Sequence, residues 1–133
     1  MSGLELHVDI DDAGLQHALE VAPEELAKGL LHAVDDSASA LQRDWRSNAR
    51  KTARRHGKRY PSSITHDVTI ASGAVTSDIG PDSAMPQGGM GRGFEYGSVH
   101  QPPHMDGAVA FARNTGKFEA AVSDAIAKVV DSL

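Results

Sequence analysis

The sequence predicts an α+β domain: a long central helix and a C-terminal helix packed on a small antiparallel β-sheet. Three observations lead there. From Pro23 to about Arg55, the residues Leu26, Leu30, Val34, Ala38, Leu41, Trp45, Ala49 and Ala53 recur every three or four positions, which lines one side of a helix. Between Ser62 and Gly80 the apolar period changes to two, the signature of strands. At the end of the chain Phe118, Val122, Ala125, Ile126, Val129 and Leu133 restore the helical spacing. The length of 133 residues fits one domain over 1–133.

The elements follow in order. Leu4, Leu6, Val8 and Ile10 alternate with Glu5, His7 and Asp9, a half-buried strand by period. Asp11 or Asp12 can cap a short helix carrying Leu15 and Leu19. Pro23 suits the first turn of the long helix, and Glu24 and Glu25 place negative charge at its positive end. At a rise of ~1.5 Å per residue this helix spans roughly 50 Å, wider than a domain of this size. Part of the rod is therefore expected to protrude or to be covered by a neighbouring copy. Gly57 and Pro61 end it. Ile64, Val68 and Ile70 read as one strand and Val75 and Ile79 as the next, joined by a tight Ser72-Gly73 turn, with Thr65, Thr69 and Thr76 on a solvated face.

Residues 81–93 hold four glycines and two prolines and read as a flexible loop, or an arm that orders on a partner. The loop lacks the Lys-Ser/Thr of a nucleotide-binding P-loop and the dinucleotide glycine spacing. Phe94-Glu95-Tyr96 reads as a short strand ended by Gly97, and Asp106 as the cap of a helix with a candidate bend at Thr115-Gly116. Phe94, Tyr96, Val122 and Ile126 are the expected core between the sheet and the last helix.

Composition narrows the function. The chain has no cysteine, which excludes disulfides and thiolate metal sites and favours an intracellular place of folding. No apolar run approaches the ~18 residues of a membrane span, and the N-terminus does not read as a signal peptide. The net charge of −5 conceals a segregation. Residues 1–40 hold nine acids and one Lys, whereas residues 41–60 hold eight Arg or Lys and one Asp. Arg46, Arg50, Lys51, Arg54, Arg55, Lys58 and Arg59, with Arg43, form a basic band. The band reads either as a solvated helix end or, because like charges so close repel, as a face for something anionic: nucleic acid, or an acidic face of another subunit.

Three local motifs occur in one order. His56-Gly57-Lys58-Arg59-Tyr60-Pro61-Ser62-Ser63-Ile64 leads from the long helix into a strand, and Ile79-Gly80-Pro81 ends the next strand. Phe94-Glu95-Tyr96-Gly97-Ser98 precedes Gln101-Pro102-Pro103-His104-Met105 and the terminal helix. Over roughly residues 20–133 this arrangement resembles the tail-component family of long-tailed phages, whose members are neck, tail-completion or head–tail joining proteins similar in role to the lambda Z protein. Members often have Thr after the Glu-aromatic-Gly step and Pro-Phe before the last helix, where this chain has Ser98 and His104-Met105.

The resemblance implies a virion protein, assembled in the host cytoplasm, that forms a ring of commonly six copies. Its implied partners are itself, the head-completion or connector proteins and the major tail tube protein, with genomic DNA in the lumen and no membrane. It implies no catalysis and no cofactor.

The residues offer two other functions. A nucleic-acid-binding module would use the basic 43–59 band, but the net charge is negative and only Tyr60 lies beside the band to stack on a base. A metal-dependent hydrolase would use His100, His104 and Glu95, but Pro102 and Pro103 keep the two histidines off a shared helix face. Asp35-Asp36 points to different sides of its helix and reads as solvated. No catalytic, metal or cofactor residue is therefore expected.

Overall fold

In the computed structural model, which describes residues 4–5, 13–71 and 74–133, the predicted stripe of the long helix faces inward. Helix α2 runs Pro23–Ala53, with Pro23 in its first turn and Arg50 and Lys51 in its last. Leu26, Val34, Ala38, Leu41, Trp45, Ala49 and Ala53 are buried, and Leu30 is half-buried against the same core. Helix α1 (Ala13–Val21) precedes it, separated by Ala22 alone. A 3₁₀ turn, Arg54–Gly57, and a four-residue helix α3, Tyr60–Ser63, lead into the sheet.

The sheet has strand order β1-β3-β2, from β1 (Leu4–Glu5), β2 (Ile64–Ala71) and β3 (Ala74–Pro81), all antiparallel. Its register puts Ile64 opposite Pro81, His66 opposite Ile79 and Val68 opposite Ser77 on the face toward α2. On the other face Asp67 lies opposite Asp78 and Thr69 opposite Thr76, whose hydroxyls bond at 2.8 Å. The remainder of the expected first strand, the Asp11/Asp12 cap and the Ser72-Gly73 turn lie outside the described residues. His66 ties β2 to α2, with Nδ1 2.5 Å from Gln42 Oε1 and Nε2 2.9 Å from Asp35 Oδ1.

A 3₁₀ turn, Gly88–Met90, and helix α4, Gly91–Tyr96, follow β3, and the chain ends in α5, Asp106–Asp131. Helix α5 runs unbroken through Thr115 and Gly116. It lies antiparallel to α2: Asp106 meets Thr52 and Asn48, Asn114 meets Asp44, and Ala125 lies against Gly29.

The α+β class is as expected, with the sheet and α5 both packed chiefly on α2. Other expectations are corrected. Because the 26-residue α5 runs alongside and buried residues reach from Leu26 to Ala53, α2 is covered within its own subunit and does not protrude as a bare rod. Phe94-Glu95-Tyr96 is helical, which buries Phe94 but leaves Tyr96 68% exposed, outside the core. Residues 81–93 form a turn, a 3₁₀ turn and the start of α4 rather than a loop without regular structure.

Candidate functional site at the basic end of the long helix

The basic band lies where α2 ends. Arg50 and Lys51 occupy its last turn, Arg54 and Arg55 the 3₁₀ turn, and Lys58 and Arg59 the step into α3. All six are exposed, and none has a side-chain ion-pair partner among the described residues. Arg46 is placed differently from its sequence neighbours. Its guanidinium donates to Ile64 O (2.8 Å) and Ser62 O (3.4 Å), pinning the start of β2 to α2. Arg43 donates back to Ser39 O at 3.5 Å. The cluster open to a partner is thus Arg50, Lys51, Arg54, Arg55, Lys58 and Arg59.

This end is held by contacts the sequence did not announce. Gln87, in the left-handed region at φ 62, accepts the Arg59 N–H at 2.6 Å and donates to His56 O at 3.2 Å. The Gly/Pro-rich segment therefore clamps the basic turn from below. Within it Asp82 N–H donates to Ser63 O, and Ala84 N–H to Asp82 Oδ1. Gly57 sits so close to Phe94 that a Cβ there would lie 2.8 Å from the ring. Phe94 packs on Tyr60, with ring centroids 4.5 Å apart, and on His104 at 5.6 Å.

Glu95, only 8% exposed, is the cap of α5. Its two carboxylate oxygens accept the N–H groups of Gly107 and Ala108, each at 2.9 Å. This satisfies donors at the positive end of the helix. Asp106, expected as the cap, instead accepts from Thr52 Oγ1 at 2.7 Å, and its carbonyl accepts from Asn48 Nδ2 at 3.1 Å. Burial pushes the Asp106 carboxyl above its usual value of 3.8, partly offset by the Thr52 bond and by nearby His104. Burial likewise drives the Tyr60 hydroxyl far above the phenol range, and the Glu95 carboxylate adds to this. The Trp45 indole N–H approaches Tyr60 Oη, but neither completes a hydrogen bond.

Comparison with protein-family models, with curated proteins and with solved structures returns no match.

Two geometries bear on the rival functions. Tyr60, which follows the band in sequence, is fully buried, and Trp45 within it is buried as well, so neither presents a face on which a base can stack. Glu95 is occupied by α5, the His104 ring stacks on Phe94 with its Nδ1 buried and unpaired, and His100 is exposed on a turn. Among the described residues no group of three or more His, Asp or Glu is placed to hold a metal ion. None of their helices is long and apolar enough to cross a membrane.

Proposed function

We propose that this chain is a structural virion protein of the phage neck, which joins the head connector to the tail tube or terminates the tail as a homo-oligomeric ring. The observation that carries the reading is that the three motifs behind the family resemblance meet at one place. Tyr60 from the first packs on Phe94 from the third, Ile64 pairs with Pro81 across the first and second, and His104 stacks on Phe94. Their convergence builds the platform under six exposed cations. The work of such a surface is mechanical: it holds an anionic neighbour in register. An acidic copy of the same chain, an adjacent ring or DNA in a lumen each supply that charge.

The test is the double substitution R54E/R55E. Both side chains are exposed and unpaired, so the subunit should stay folded, with stability within ~0.5 kcal/mol of wild type. Ring formation in negative-stain images and head–tail joining in phage complementation should be lost. Intact infectious particles from the variant would reject the assignment. A free nucleic-acid-binding module predicts something else: the isolated wild-type subunit would retard DNA at physiological salt, with affinity falling steeply as salt rises.

A further inference from the structure

Exposed charge and exposed apolar surface divide along α2. Near its start Glu20, Glu24, Glu25, Asp35 and Asp36 are exposed, and antiparallel α5 adds Asp124 and Asp131. Lys28 and Lys128 are the exposed lysines beside them. Here too an open groove of about 390 Å³ runs between α2 and the hairpin, lined by Lys28, Leu31, His32, Asp35 and Val68. Ile70, 57% exposed, follows Val68 along the same face of β2.

The opposite end carries the six unpaired cations and an apolar knob. Ser98 N–H donates to Gln101 O at 2.9 Å, closing a tight turn that presents Val99 at 95% exposure. His100 N–H donates to Ser98 Oγ at 3.2 Å, which stiffens it. Tyr96, Met105 and Val109 around the turn are exposed as well. Gly97, at φ 85 and with Pro103 N 2.9 Å from where a Cβ would stand, fixes how the turn leaves α4. Between Leu31 and Ala53 the helix axis advances ~33 Å, so knob and groove cannot meet within one subunit.

Each end thus combines apolar surface with an excess of one sign of charge. Two like ends repel, and two unlike ends attract in both terms. The geometry points to a head-to-tail contact in which the Val99 turn of one copy seats in the α2–β2 groove of the next, framed by its cations against the acidic end of α2. A contact of this heterologous kind propagates around a ring when its rotation closes. The inference rests on the proposed self-assembly and adds which two surfaces meet.

The absence of cysteine allows a direct trap. Val99→Cys and Leu31→Cys are both made at exposed positions, and unchanged thermal melts establish that the variants fold. With a short thiol-to-thiol crosslinker, each single variant alone should stay uncrosslinked, and an equimolar mixture should give dimers and nothing larger. The chain carrying both substitutions should give a ladder ending at the ring number. Val99→Asp in the wild-type background should weaken self-association about thirtyfold or more, as loss of an interface anchor does. Self-crosslinking of either single variant, or no dimer from the mixture, overturns the head-to-tail contact. If wild type still forms rings in that case, the neck-ring proposal survives without it; if wild type forms no rings and the cysteine mixture gives no dimer, both fall.

Discussion

Replacing Glu95 by Gln tests the joint on which the basic end and the knob both depend. The carboxylate accepts two adjacent backbone N–H groups, each at 2.9 Å, in a buried position at the start of α5. Gln keeps the size and one acceptor oxygen, but it turns an NH₂ toward the second N–H, where two donors then face each other. One charge-assisted bond is lost and the favourable charge at the helix N-terminus disappears, together about 2–3 kcal/mol. At ~2.1 cal/mol/K per residue a chain of 133 residues has an unfolding entropy near 0.28 kcal/mol/K, so the midpoint should fall ~7–11 °C. Glu95→Ala, which leaves both donors orphaned, should fall further. Thermal and urea melts followed by far-ultraviolet circular dichroism at neutral pH read both variants. If Glu95→Gln melts within ~2 °C of wild type, the carboxylate does not hold α5 and the capping argument is wrong.

The other expectations concern the same scaffold. Gly107→Ala and Gly116→Ala place the same methyl in the same helix with opposite outcomes. At Gly107 it would lie 2.5 Å from the Trp45 ring and cost ~1–3 kcal/mol by overpacking. At Gly116 it meets nothing within 4 Å and should add ~0.5–1 kcal/mol. Asp106→Asn tests the raised carboxyl. A folded-state value above the unfolded one means that the native state binds the proton more tightly, so stability falls as pH rises from 3.8 through the raised value. The Asn variant should lack that part of the decline in urea midpoints measured across the acid range. Asp78→Thr relieves a like-charge pair directly opposite Asp67 and should raise stability by ~0.2–1 kcal/mol in a chemical melt.

The long helix was legible because one uninterrupted stripe leaves little freedom: seven of its eight apolar positions are buried and Leu30 is half-buried. The two strands at 64–71 and 74–81 and the span of α5 were legible for the same reason of period. Helix α4 was not. Six residues with glycines at 91 and 93 have weak helical preference, and their conformation comes from tertiary anchors, with Phe94 on Gly57 and Tyr60 and Glu95 on α5. That one error moved Tyr96. In a strand, residues two apart share a face, whereas in a helix they lie on nearly opposite sides, so Phe94 enters the core and Tyr96 leaves it. The glycines of 81–93 looked like freedom but serve close approach. A Cβ on Gly88 would fall 1.7 Å from Asp82 O, and one on Gly91 2.4 Å from Pro81. At the candidate site the sequence grouped the cations, but it could not show that Arg46 turns inward to Ile64 and Ser62.

The case for a partner has therefore moved from the side of α2 to its ends. The expectation of a bare rod came from comparing helix length with domain width, and it fails because α5 matches α2 along its length. The fading of the stripe to Ala49 and Ala53 has a local cause: small residues admit Gly57 and Phe94 closely at that end, where a Cβ on Gly57 would lie 2.7 Å from Ala53 Cβ. What the subunit leaves unmatched is electrostatic. Six exposed cations follow one another from the last turn of α2 to the start of α3, while Glu95 and Asp106 are buried and engaged in internal bonds. Like charge so gathered disfavours the isolated subunit and has no ion-pair partner among the described residues. In the proposed head-to-tail contact the acidic, grooved end of the next copy would supply the anionic surface.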